Sequence, residues 1–233
     1  MKAIKLSFAA LALSVIGFQA NAAVVTECGT NVCFTYDNST LFGSANIVGN
    51  NIFFLPTEFV ASSTDGTGSE ITNETLEIRI EAYTPDYDMT QFLLVEQGDY
   101  QLNGEGAWVS ASGQLRVTSV AKTCPVGGFD FICTDNDTFN TGPLDVQGVL
   151  TDWEGTGQVD LGDTAGWGSD TAVIMTLENV LQASTLENGE TAFIEKKLAG
   201  VGIQVVPVPA AVWLFGSALA GMAAWSRRRK LTA

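Results

Sequence analysis

The chain has 233 residues, enough for one ordinary domain or two small ones once targeting segments are set aside, with 26 acidic residues, 11 basic residues and no histidine. All 26 acids fall between Glu27 and Glu195, while six of the bases sit at the two extreme ends, so the middle keeps five bases and a net charge of −21. Such a surface repels phosphate backbones and anionic headgroups, which argues against nucleic acid as a partner, and the absence of histidine excludes Ser-His-Asp and Cys-His catalysis and His-ligated zinc or copper.

The N-terminus opens with Lys2 and Lys5, continues through an apolar run over residues 6–18, and then reads Gln19-Ala20-Asn21-Ala22-Ala23. A charged start, a short apolar stretch and an Ala20-x-Ala22 site form an export signal, with cleavage expected before Ala23. The apolar run is too short for a full membrane span. The expected partners at this stage are the Sec translocon and signal peptidase. Export makes the cysteines readable. They come as two close pairs, Cys28 with Cys33 and Cys124 with Cys133. Four cysteines allow three connectivities, and pairing within each cluster is the simplest of them. An oxidising compartment favours disulfides, each contributing roughly 2–3 kcal/mol in the chain-entropy account.

From residue 23 to residue 205 the chain is expected to be one acidic all-β body. Residues 76–82 (Leu-Glu-Ile-Arg-Ile-Glu-Ala) alternate as a half-buried strand should. Residues 171–182 read as a more buried strand. Further strands are expected over residues 32–36, 52–55, 92–95, 107–112, 114–121, 144–152, 157–160, 192–197 and 201–206. Turn chemistry separates them at Asp65-Gly66, Asn103-Gly104, Gly127-Gly128, Gly162-Asp163 and Asn188-Gly189. Loops are expected over residues 62–69 and 134–143. Many short strands at this spacing predict an antiparallel β-sandwich or jelly-roll-like body. Its candidate core residues are Leu76, Ile78, Ile80, Val109, Leu115, Val117, Val149, Ile174, Leu177, Val180 and Ile194.

Residues 198–226 contain no charged side chain. Within them, residues 208–225 would span about 27 Å as a helix, enough to cross a hydrocarbon core, with Trp213 and Trp225 near its ends. Arg227, Arg228, Arg229 and Lys230 follow as a basic stop that keeps the C-terminus cytoplasmic. Pro207 and Pro209 suit the first turn of that helix, where no amide donor is needed. The fold expectation is therefore a β-sandwich flanked by an N-terminal signal helix and a C-terminal transmembrane helix.

The string Val206-Pro207-Val208-Pro209-Ala210-Ala211-Val212-Trp213-Leu214-Phe215-Gly216-Ser217-Ala218-Leu219, followed by the apolar helix and the basic end, resembles the sorting tail of PEP-CTERM proteins in its Val-Pro-x-Pro-Ala variant. One departure is Val208, where the archetypal motif has Glu. The resemblance implies recognition of residues 206–233 by an exosortase, a membrane transpeptidase-like enzyme that cuts near Val206, Pro207, Val208, Pro209 and Ala210. It implies transient residence in the inner membrane, then release to the cell surface or to extracellular polysaccharide, as in a biofilm matrix. The alternative is a permanent single-pass anchor, which the same helix and basic cluster could form.

No catalytic motif marks the body, and no cofactor is expected. Asp135-Asn136-Asp137 is its densest oxygen cluster, so Asp135 and Asp137 are the candidate ligands for Ca²⁺, although the EF-hand pattern is not met. Trp108, Trp153 and Trp167 could stack on sugars if exposed, and two carboxylates in a cleft could serve a glycosidase. A secreted carbohydrate-binding or carbohydrate-active protein is thus the second reading.

Overall fold

A computed structural model describes residues 23–204. Ala20, Ala22 and the signal peptide lie outside the described residues, as does the expected tail, from Val206 to Ala210 and on to Arg227, Arg228, Arg229 and Lys230. The described residues form strands β1 (Val24–Cys28), β2 (Val32–Asp37), β3 (Ala45–Val48), β4 (Asn51–Phe54), β5 (Val60–Thr64), β6 (Gly68–Ala82), β7 (Gln91–Asn103), β8 (Trp108–Val126), β9 (Phe129–Asn140), β10 (Thr151–Asp160), β11 (Ala172–Thr185) and β12 (Thr191–Gln204), with no helix among them. Two antiparallel sheets result. The first runs β1-β2-β6-β11-β8-β9, and the second runs β10-β7-β12-β4-β3 with β5 also on β12. The body is an all-β sandwich, as the alternation predicts.

The core forms where the inward positions of the two sheets meet. Leu76, Ile78 and Ile80 of β6 are buried, together with Leu115 and Val117 of β8, against Phe92 and Leu94 of β7, Ile194 of β12 and Phe54 of β4. Burying apolar surface at about 25 cal/mol per Å² makes this the main favourable term. The strand expected over residues 171–182 is present, but its inward set differs from the one expected. Val173, Met175, Leu177, Asn179, Leu181 and Ala183 are buried, while Ile174 and Val180 face the other way. Residues 174, 177 and 180 are three apart, and a period-two strand cannot bury all three on one face.

Several boundaries also differ. The expected loop over residues 134–143 is largely β9, a polar edge strand whose backbone pairs with β8 from Ser112↔Asn140 inward. Its composition hides a strand because only one face is half-buried. Most of residues 62–69 likewise belongs to β5 and β6, joined at Asp65-Gly66, both in the left-handed region. The strand expected from 144 starts only at Thr151, and Val149 is exposed. Pro143 and the left-handed Gly148 break the ladder before it, leaving isolated bridges at Leu144 and Gln147. Residues 107–112 and 114–121 lie within or beside one strand that runs through Gly113.

Both disulfides pair within their clusters. Cys28–Cys33 joins directly opposed residues of β1 and β2, and Cys124–Cys133 joins β8 to β9. Each closes a hairpin of the first sheet, and neither links the two sheets.

β12 is the central strand of the second sheet. On one side it pairs with β7 along its length. On the other it pairs with β5 at Thr191–Glu195 and then with β4 at Ala199–Val201. Between these two partners the β7 register shifts, Lys196 standing opposite Gly98 and Leu198 opposite Gln97. The extra residue is a bulge, and it resets which positions point inward. Ala192, Ile194 and Lys196 are buried before it, and Ala199, Val201 and Ile203 after it.

One acid organises the turns at the far end. Glu190 accepts hydrogen bonds from the backbone N–H groups of Gly106 (2.6 Å), Leu186 (2.8 Å) and Glu187 (2.9 Å), tying the β11–β12 turn to the β7–β8 turn. The Glu187 amide, then those of Leu186 and Gly106, hold its carboxyl below the ordinary value of 4.5. A carboxylate depressed in the folded state contributes stability that is present above 4.5 and is lost as pH falls through the folded value. Urea midpoints recorded from neutral pH downward should therefore fall less steeply in Glu190→Gln than in the wild type, the two curves converging in acid. Parallel curves would remove this role.

Candidate functional site

The least expected feature of the core is a polar cluster closed off from solvent. Glu96 on β7 and Lys196 on β12 form an ion pair with Nζ 2.6 Å from Oε2, and both side chains have 0 % exposure. The Lys196 N–H donates to the carbonyl of Phe59 at 2.9 Å in the gap between β5 and β4. Its ammonium lies 5.3 Å from the ring centroid of Phe42 and 4.8 Å from that of Phe59. Those two rings pack edge to face at 5.6 Å and are fully buried.

From the opposite sheet, Asn179 of β11 approaches the same carboxyl. Its Nδ2 donates to the Glu178 carbonyl at 2.7 Å. That bond fixes the orientation of the amide, because the reverse assignment would set two oxygen acceptors against each other. Asn179 Oδ1 and Glu96 Oε1 are both buried and neither has a hydrogen-bond partner. Two orphaned acceptors in a dry core are costly, and a proton on Glu96 would turn one of the two carboxyl oxygens into a donor.

The electrostatics lean the same way. Burial pushes the Glu96 carboxyl up, opposed chiefly by the Lys196 charge and, less strongly, by the Lys196 hydrogen bond and the nearby Asn179 amide. Burial pushes the Lys196 ammonium down, opposed by Glu96. Both shifts favour a neutral amine beside a neutral acid.

Glycines let the cluster be covered. Gly113 stands opposite Asn179 on β8, and Gly155 stands opposite Glu96 on β10. A Cβ at Gly113 would come within 2.5 Å of the Phe139 ring, and one at Gly155 within 2.3 Å. The ring of Phe139, carried by β9, therefore lies over both backbones and closes the side where β9 and β10 approach.

The residues singled out from sequence lie elsewhere. Asp135 and Asp137 are on β9. Asp135 Oδ2 accepts from Thr164 Oγ1 at 3.0 Å, and Asp137 Oδ2 accepts from the Gln158 N–H at 2.9 Å. They hold the edge of the first sheet to β10 and the turn after it. No group of three or more His, Cys, Asp or Glu residues is placed to hold a metal among the described residues. Trp153 and Trp167 are buried, their indole N–H groups donating to the Glu195 carbonyl and to Asp170 Oδ2. Trp108 is 38 % exposed.

Outside, on the solvent face of the second sheet, Asp99, Asp152, Glu154, Gln97 and Lys197 border a depression of ≈ 470 Å³. Asp99 and Asp152 face each other directly across the ladder, a like-charge pairing relieved by Lys197, whose Nζ pairs with Asp99 and with Glu195.

Sequence reasoning missed Glu96, Lys196 and Asn179, although a signal was there. Each falls on the inward phase of its strand, after Phe92 and Leu94, after Ala192 and Ile194, and between Leu177 and Leu181. A charged or amide residue on an inward phase must find a buried partner.

No protein-family model matches the chain, and no curated protein matches it. Among solved structures, a chain from "Structure of infectious bursal disease virus Gt strain" is similar at 11 % identity and a TM-score of 0.19, over 72 % of this chain. This chain spans 42 % of that one.

Introducing a methyl group where Phe139 rests should overpack the cover. Gly155→Ala is expected to lower the unfolding free energy by about 1–3 kcal/mol in urea. In a Phe139→Ala background the same change should cost at least about 1 kcal/mol less, since the clashing ring is gone. Additive effects would show that the ring does not depend on that glycine.

Proposed function

We propose that the protein is an exported, non-enzymatic surface or extracellular-matrix component, sorted through its C-terminal tail. The observation that carries this reading is the order of the tail: the Pro207-x-Pro209-Ala210 string, then one apolar helix length, then Arg227, Arg228, Arg229 and Lys230. The signal-like N-terminus supports it, as do two disulfides, which form and persist in oxidising compartments. In this reading the Sec translocon and signal peptidase handle the N-terminus. The tail resides briefly in the inner membrane, an exosortase-like enzyme cuts near residues 206–210, and the body passes to the cell surface or to exopolysaccharide. The polar cluster of Glu96, Lys196 and Asn179 is closed to solvent, so it is not offered as a site for a soluble substrate. Its acidic exterior keeps it soluble and separate from anionic surfaces.

A second reading, a carbohydrate-binding protein, draws on the carboxylate-rimmed depression at Asp99 and Asp152. Trp153, which also lines that depression, is only 3 % exposed, so the aromatic platform that sugar stacking uses is not presented there.

Intact-mass measurement of the mature protein tests the proposal. The expected product starts at Ala23 and lacks Arg227–Lys230. A mature chain that keeps those residues in the membrane fraction would overturn processing and identify a permanent anchor.

A further inference from the structure

We infer that Lys196 and Asn179 are joined in the mature protein by an intramolecular amide bond, formed without any enzyme and promoted by Glu96. The three groups that such a reaction requires are buried together: an amine, a primary carboxamide and a carboxyl group between them. The carboxyl holds the amine at 2.6 Å, and all three residues are at most 2 % exposed. The chain at large has only five bases in its body, and this one is placed among phenylalanine rings rather than in water.

The chemistry follows from the unpaired atoms. Proton transfer from Lys196 to Glu96 leaves a neutral amine, the nucleophilic form, which a desolvated site favours. The proton on Glu96 is then available to the Asn179 carboxamide, whose buried Oδ1 has no hydrogen-bond partner. Its hydrogen bond polarises the Asn179 carbonyl and supports the negative charge that develops on the oxygen during attack. Nζ bonds to Cγ. The tetrahedral intermediate collapses as the Cγ–Nδ2 bond breaks, and Nδ2 leaves as ammonia after receiving, through Glu96, one of the hydrogens from Nζ. Lys196 keeps one N–H as a secondary amide, and Glu96 ends as a neutral acid beside it. No oxidant, water or other reactant is consumed. A buried charge pair is replaced by neutral groups, so the desolvation that charge imposes is relieved. Holding the reactants in place turns the step into a unimolecular one, and exclusion of water protects the intermediate from hydrolysis.

The bond would connect what the disulfides leave separate. Cys28–Cys33 and Cys124–Cys133 each close a hairpin of the first sheet. The Lys196–Asn179 bond would run from β12 in the second sheet to β11 in the first, and no reductant would open it. Its formation rests on the core alone. Its use in bearing load, passed from residue 204 along β12, rests on the attachment proposed above.

The test is the mass of the full, exported protein after reduction, with both termini established by peptide mapping. The expected value lies about 17 Da, one ammonia, below that of the linear chain between those termini. Digestion after glutamate should cut at Glu178, Glu187, Glu190 and Glu195 and release one branched peptide carrying both Asn179 and Lys196. Lys196→Met and Asn179→Ala should show the full linear mass. Glu96→Gln, checked for a native β-sheet circular dichroism spectrum, should also show the full mass. A wild-type chain at full linear mass, with separate peptides for residues 179–187 and for Lys196, would overturn the inference whatever the fate of the tail. A folded Glu96→Gln variant that still loses ammonia would overturn the role of Glu96.

Discussion

One extra residue in β12 decides how the two sheets meet. Without the bulge at Lys197, the inward phase of Ala192, Ile194 and Lys196 would continue through Leu198 and Gly200, and Ala199, Val201 and Ile203 would point to solvent. With it, Lys196 closes one inward run and Ala199 opens the next. The same irregularity separates β5 from β4 along the edge of β12, and into that gap comes Phe59. A lysine is thereby delivered to the centre of the sandwich with its backbone N–H satisfied by Phe59 and its side chain lined by aromatic rings.

The rest of the cluster answers that lysine. An isolated ammonium in such a place would cost several kcal/mol or more, so a carboxyl must accompany it, and Glu96 comes from the neighbouring strand. The pairing leaves one carboxyl oxygen and the oxygen of Asn179 without donors. Hydrophobic replacement of buried ion pairs is often neutral or stabilising, so a pair of this kind is poor evidence for stability by attraction alone. Its value lies in what adjacent, dehydrated and mutually perturbed groups can do. Phe139, resting on Gly113 and Gly155, keeps water from that environment.

The exterior follows a different logic. Carboxylates there tie edges and turns together: Asp137 and Asp135 hold β9 to β10 and its following turn, and Glu190 gathers three amides of two turns. These acids contribute to the net charge of −21 carried by residues 23–205 while serving as acceptors for backbone and hydroxyl donors, so a strongly acidic composition is compatible with ordered connections. Where two acids face each other, at Asp99 and Asp152, a lysine from the bulge stands beside them. Adjacent lysines thus take opposite tasks, one inside and one outside.

The sequence alone was sufficient for properties carried by local order. Alternation at Leu76, Ile78 and Ile80 announced a half-buried strand, the spacing of Cys28 with Cys33 and Cys124 with Cys133 announced local disulfides, and Asp65-Gly66 and Gly127-Gly128 announced tight turns. These depend on neighbours a few residues away, which a linear string displays. Tertiary structure decided what depends on partners far along the chain. β9 is a strand because β8 pairs with it and β10 approaches it, despite a composition suited to a loop. Asn179 is an inward residue because the phase of β11 is set by the other sheet, and Glu96 meets Lys196 across 100 residues of chain. Burial, register and the meeting of polar groups in a dry core are long-range outcomes, settled only when both sheets close on each other.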